Sequence, residues 1–223
     1  MPKKKVIVLV SGGIDSPVAA AMLSNKYEIV PLHFCHYPFY CKGSFERMLK
    51  VMKVLQEKTG FKEMILFPWA PILKAVLERG YKEYMCVICR SAMFRVAEEI
   101  AKREGAVAIA TGEALAQKAS QTLANMAVTS MASDFTIIRP LLGLDKSEIE
   151  DMSKKLGIWT EEHVGCCSAT PEKPKTNARA VVLAEQWKKL DIDGIIAEGM
   201  SKMMRIKDFD NVKISDFLEK LGK

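Results

Sequence analysis

Val6-Ile7-Val8-Leu9-Val10-Ser11-Gly12-Gly13-Ile14-Asp15-Ser16-Pro17 decides the fold. The apolar, mostly β-branched run Val6–Val10 reads as a strand buried on both faces. Ser11-Gly12-Gly13 reads as a turn. Asp15 or Ser16 is placed to cap a helix and Pro17 to take its first position, with the helix running to about Asn25. Glycines let backbone approach a ligand closely, and exposed N–H groups form an anion nest reinforced by the positive end of the helix dipole. Ser11 and Ser16 add hydroxyl donors. The stretch therefore reads as an anion cradle at the C-terminal end of a strand, where open α/β sheets bind ligands. It is not a Walker loop, because no Gly-Lys-Ser/Thr follows, and the spacing is not the G-x-G-x-x-G of dinucleotide enzymes. Two glycines alone support a plain tight turn about as well as a ligand loop.

Outward from this stretch, strands and helices alternate. Further strands are expected over Glu28–Phe34, Glu63–Phe67, Ala106–Ala110 and Thr136–Ile138. Helices are expected over Gly43–Lys58, Ile72–Glu78, Val87–Glu104, Ala114–Met126 and from a cap at Asp145 to Leu156, stopped by Gly157. The pattern predicts an α/β fold: a parallel five-stranded sheet with helices on both faces. Thr160 to Asn177 is irregular, and long loops inside compact domains are often functional. Ala178–Leu190, Ile195–Met204 and Val212–Leu221 read as a C-terminal helical tail. The expected division is a catalytic domain over residues 1–177 and a helical tail over 178–223.

The chain has 33 Lys+Arg against 27 Asp+Glu, a net charge of +6 that permits an anionic partner without requiring one. With 49% hydrophobic and 27% charged residues it is neither a disordered chain nor a disulfide scaffold. No window is apolar enough to span a membrane. The run after Lys3-Lys4-Lys5 is too short for a signal sequence, so a cytoplasmic protein is expected. Six cysteines in such a compartment suggest metal or catalytic chemistry before disulfides.

Ser11-Gly12-Gly13-Ile14-Asp15-Ser16 after a buried strand resembles the pyrophosphatase loop of the PP-loop ATPases, which cleave ATP between the α- and β-phosphates. Thr111-Gly112-Glu113-Ala114-Leu115-Ala116-Gln117-Lys118-Ala119-Ser120-Gln121-Thr122-Leu123-Ala124-Asn125 resembles the T-G-E-x-L-x-Q-x-x-S-Q-T-L-x-N segment of the tRNA 4-thiouridine synthetases, or tRNA sulfurtransferases. So do Arg139-Pro140-Leu141-Leu142, Asp145-Lys146 with Ile149, and Cys166-Cys167-Ser168 with Pro174-Lys175-Thr176. The resemblance covers about Val6 to Asn177.

It implies that Ser11, Gly12, Gly13, Asp15 and Ser16 hold pyrophosphate, Asp15 acting through Mg²⁺ or the loop backbone. It implies an adenylate pocket of Val8, Leu9, His33, Phe34, Arg90, Gly112 and Gln121, and a catalytic lysine at Lys146. The residues suit this: Phe34 offers a stacking face and Arg90 a phosphate fork. Read alone, Lys146 is a solvated charge and His33 a strand-end core histidine.

Cys86-x-x-Cys89 opens an expected helix, where the dipole acidifies thiols. Cys166 and Cys167 are adjacent, which suits a four-ligand zinc poorly. Cys86, Cys89 and one of Cys166 or Cys167 suit an iron–sulfur cluster, as in the archaeal-type members of the family resembled. A redox disulfide, a persulfide site or inert thiols are the other readings. Cys35 and Cys41 read as structural.

The resemblance thus implies ATP-dependent sulfur transfer to a tRNA uridine through an adenylated intermediate, with ATP, Mg²⁺ and an iron–sulfur cluster as cofactors. Sulfur transfer in thiamine-thiazole synthesis, or a non-catalytic ATP-binding and sulfur-delivery subunit, are the alternatives. Partners expected are tRNA, a sulfur donor, a second copy of the chain and, because the first strand begins near Val6, a separate RNA-binding THUMP-like protein. No membrane partner is expected.

Overall fold

The computed structural model describes residues 2–40, 42–159 and 168–220. The opening strand, β1 (Lys5–Val10), is buried on both sides. Ile7 and Leu9 enter one apolar cluster, and Val6, Val8 and Val10 enter the other. This is the two-residue alternation of a central strand.

In chain order, α1 (Asp15–Ser24), β2 (Glu28–Cys35), α2 (Lys42–Thr59), β3 (Met64–Pro68), α3 (Ala70–Arg79), α4 (Met85–Glu104), β4 (Ala108–Thr111), α5 (Leu123–Ser130), β5 (Ile137–Ile138) and α6 (Lys146–Leu156) follow. After the segment at 168–179 come α7 (Ala180–Leu190), α8 (Ile192–Lys202), β6 (Met204–Ile206) and α9 (Ile214–Lys220). The strand order is β5-β4-β1-β2-β3-β6. All pairs are parallel except β3 with β6, which is antiparallel.

The sheet therefore has six strands rather than the expected five. Met204-Arg205-Ile206, where a helix end was expected, pairs with Leu66, Ile65 and Met64. Propensity misses this strand because its order comes from long-range pairing. The side chains of α1, α2, α6 and α9 cover one face of the sheet, and those of α3, α4, α7 and α8 the other. Leu183, Leu190, Ile192, Ile196 and Met200 of α7 and α8 belong to the same core cluster as Ile7 and Leu9. Gly199 permits the close seating of α8: a Cβ there would lie 2.3 Å from the Phe67 ring.

The expected helix over Ala114–Met126 is also corrected. A turn with Ala116 at φ 62° leads to a short 3-10 segment, Ala119–Gln121, and α5 starts only at Leu123. Thr122 caps α5 through its side chain. By contrast, Asp145 and Glu148 form the full capping box at the start of α6, and Gly157 ends it at φ 72°.

Candidate nucleotide site

From β1 the chain passes to β2 and β3 on one side, then returns through α4 to β4 on the other. The crevice between the C-terminal ends of β1 and β4 is thus the topological switch point of the sheet. The glycine turn lies there. Asp15 or Ser16 was expected to cap α1. Instead Ile14 is the cap residue, without a side-chain bond. The Ser16 hydroxyl accepts from Ser11 N at 2.8 Å and lies 3.0 Å from Ser11 Oγ, while Gly13 N donates to Ser11 Oγ at 3.3 Å. These bonds close the loop on itself. Arg47 of α2 adds a bond from Nε to Gly12 O.

The loop after β4 presses on the start of α1. A Cβ on Gly112 would lie 2.5 Å from Ser16 N, 2.6 Å from Ser16 Cα and 2.7 Å from the Asp15 carbonyl carbon. Only glycine permits that approach without displacing the helix. Across the crevice, Lys146 at the first position of α6 pairs with Asp15 at 2.8 Å. Two charges 131 residues apart in sequence thus meet at the loop.

Val8 and Leu9 are buried in β1, paired in register with β2 on one side and β4 on the other. His33, 6% exposed, lies 3.0 Å through Nδ1 from Val10 O, and its buried Nε2 has no hydrogen-bond partner. Burial pushes its pKa down to about 4, so the ring is neutral at pH 7. Burial pushes His36 down to about 3, with His33 and the Arg90 charge acting in the same direction.

The expected stacking face of Phe34 is not available. Its ring is buried edge-on against Phe67 and Trp69, with centroids at 5.8 and 4.7 Å. The alternation of β2 turns this side chain into the core, so only its backbone reaches the strand end. Gln121 is buried in the 3-10 segment with its Oε1 unpartnered.

Arg90 stands on α4 with its Nε 3.2 Å from Glu113 Oε1. Glu113 and Arg139 both lie in the motifs quoted above, yet neither was a site candidate. Arg139 Nε donates to Glu113 Oε2 at 2.9 Å, and its Nη2 donates to Ser130 Oγ at 2.8 Å.

Cys86 and Cys89 occupy the first turns of α4, both half-buried. Their i, i+3 spacing puts them on one face of the helix. Cys41, Cys166 and Cys167 lie outside the described residues. Ser168, next after Cys167 in sequence, donates from N to Phe39 O at 2.8 Å. The following segment is tied down by Asn125, which is fully buried. Its Nδ2 donates to Ala119 O and Lys175 O, and its Oδ1 accepts from Ala178 N. Among the described residues no three His, Cys, Asp or Glu side chains converge as a metal site, and no helix is long and apolar enough to cross a membrane. An apolar groove of about 560 Å³ lined by Val128, Met131, Val181 and Trp187 contains none of the candidate residues.

A closed glycine loop at the switch point of a mainly parallel sheet defines an α/β protein of the PP-loop fold class. Residues 2–192 match the model of the thiamine biosynthesis protein (ThiI) family, and the chain belongs to that family. A probable tRNA sulfurtransferase of Methanosarcina mazei is 34% identical over 208 residues, 91% of this chain and 51% of the relative. One from Thermococcus kodakarensis is 42% identical over 161 residues, 70% of this chain and 41% of the relative. The chain spans about half the length of the curated relatives it matches. The crystal structure of a 4-thiouridine synthetase–RNA complex with bound ATP matches with a TM-score of 0.84 and 30% identity, over 91% of this chain and 55% of that one. The U34-tRNA thiolase NcsA of Methanococcus maripaludis shares the fold, with a TM-score of 0.51 and 15% identity.

Proposed function

We propose that the chain binds ATP across the β1–β4 crevice, adenylates a tRNA uridine and transfers sulfur to it. Uridine O4 attacks the α-phosphorus and pyrophosphate leaves. A sulfur nucleophile then adds at C4, and AMP departs with O4, leaving 4-thiouridine. The observation that carries the reading is the seating of Gly112 against Ser16, which fixes the glycine loop and the end of β4 as one rigid rim. Preorganised donors aimed at developing charge are the largest source of such catalysis. The Gly12–Gly13 backbone, Ser11 and Ser16 would hold the leaving pyrophosphate. Lys146, oriented by Asp15, would offset its charge, and Arg90 would take the α-phosphate. The relatives' names and the RNA and ATP of the matching structure support the substrate assignment.

A protein cage for Mg²⁺ does not fit the described donors, since Asp15 is already held by Lys146. The ion would arrive with the triphosphate. Cys86 and Cys89 fit two positions of a sulfur-carrying or iron–sulfur site, with Cys166 or Cys167 as the third, which would supply the sulfur. Cytoplasmic location, and division into a catalytic part at 1–177 and a tail at 178–223, go with this reading. The thiamine biosynthesis role in the family's name favours a second reading, sulfur delivery in thiazole assembly.

One experiment separates them: anaerobically purified chain is incubated with ATP, Mg²⁺, sulfide and unmodified tRNA. Pyrophosphate and a thionucleoside are both expected. No pyrophosphate refutes ATP cleavage. Pyrophosphate without a thionucleoside overturns the tRNA assignment in favour of the small-molecule reading.

A further inference from the structure

We infer that Glu113, braced by Arg139, is the positioning residue that aims Arg90 at the nucleotide; this rests on the ATP reading above. Glu113 is fully buried, and burying a lone carboxylate is costly. Its two oxygens are divided between two guanidinium groups. Oε2 accepts an aligned hydrogen bond from Arg139, whose other end is fixed on Ser130. Oε1 has no aligned hydrogen bond and faces Arg90 Nε at ion-pair distance. Arg139 alone would satisfy the carboxylate charge. The second arginine leaves this cluster with a net positive charge, although the Arg90 and Arg139 side chains are only 21% and 14% exposed. A sheltered surplus cation calls for an anion.

The place of that anion follows from the contacts. Glu113 takes the Nε edge of Arg90 and leaves the two Nη groups for another acceptor. The Phe94 ring, 6.0 Å from the Arg90 guanidinium and 5.7 Å from that of Arg139, packs beside both. Arg90 is close enough to His36, beyond the end of β2, to act on its charge state. Its other neighbour, Glu113, lies beyond the end of β4. The α4 helix runs back to the start of β4, so its N-terminal half, which carries Arg90, lies toward the C-terminal ends of the strands, where the glycine loop begins. Glu113 also follows Gly112 directly, the residue seated on Ser16. The rim that holds the pyrophosphate and the group that aims Arg90 are therefore consecutive residues.

The test is a set of substitutions read by ATP titration of pyrophosphate release. Glu113→Gln keeps the volume and removes the charge. It should raise the KM for ATP roughly ten- to a hundredfold, the worth of one charge-assisted hydrogen bond, with a smaller change in kcat. Arg139→Lys keeps the charge but loses Nε and the fork, and should raise KM less. The deciding readout is non-additivity: in an Arg90→Ala background, Glu113→Gln should change KM no further. Thermal melting of each variant separates loss of fold from loss of aim. Additive effects, or an unchanged KM in well-folded Glu113→Gln, overturn the inference while leaving the ATP reading intact. A wild-type chain without ATP-dependent pyrophosphate release overturns both.

Discussion

Replacing Gly112 with alanine tests the link between packing and chemistry most directly. The new methyl would lie 2.5 Å from Ser16 N and 2.6 Å from Ser16 Cα. Ordinary contact between such atoms begins near ~3.5 Å, so the end of β4 and the start of α1 must part by about 1 Å. Both are backbone, and neither can rotate away. Overpacking of this kind costs about 1–3 kcal/mol. The functional loss should be larger, because a 1 Å misplacement of a positioning group costs on the order of a hundredfold in rate. Two controls frame the result. Gly143→Ala meets nothing within 4 Å and should be neutral. Gly13→Ala meets only Ser11 Oγ at 3.6 Å, so its melting temperature should hold while ATP binding weakens. Denaturant midpoints and ATP-dependent pyrophosphate release read all three. If Gly112→Ala matches Gly143→Ala in both measurements, the rim is not the rigid unit described here.

His33 should make stability fall with acid. Its folded-state pKa of about 4 lies below the unfolded value of 6.5, so the unfolded chain takes up the proton first as pH falls. The contribution is full above about 6.5, is lost down to about 4, and amounts to about 3 kcal/mol. His36 acts in the same direction, but its partial exposure screens its share. Denaturant midpoints for wild type and His33→Gln that run parallel through this window would refute the assignment. Lys146→Ala should leave melting nearly unchanged, because a half-exposed pair contributes only about 0–1 kcal/mol, while ATP turnover drops. A stability loss with turnover intact would reverse that reading. Asn125→Ala strands Ala178 N and two carbonyls, and should cost about 3 kcal/mol. It should also make the 168–178 segment a preferred site of limited proteolysis. Unaltered cleavage there would show that Asn125 is not the tether.

How much of this was readable beforehand depended on how locally each feature is encoded. The β1 strand, the glycine turn and the Asp145-to-Gly157 helix carry their signals within a few residues, and all appear as expected. The 114–126 stretch has helix-favouring Ala, Leu and Gln. There, side-chain bonds from Thr122 and Asn125 to distant backbone outweigh that propensity. The resemblance named candidate residues but not the pairs they form. Glu113 and Arg139 are 26 residues apart, and nothing in either motif shows that one carboxylate serves two arginines. Phe34 was misread because stacking needs an open face, and strand alternation sends that ring inward.

The three-residue strand β6 has a further consequence, for how copies of this protein behave toward one another. The neighbouring strand, Met64-Ile65-Leu66-Phe67-Pro68, is apolar along its length, and a long open edge of that kind recruits other strands. Here the edge is closed by a strand too short to pass the template on. Its middle residue, Arg205, is exposed and clasped by Glu63 and Glu104. The opposite edge, β5, is only two residues long. This edge is thus guarded by the shortness of β6 and by one charged arginine away from the glycine loop. Replacing it with valine should leave ATP chemistry intact and appear first as turbidity.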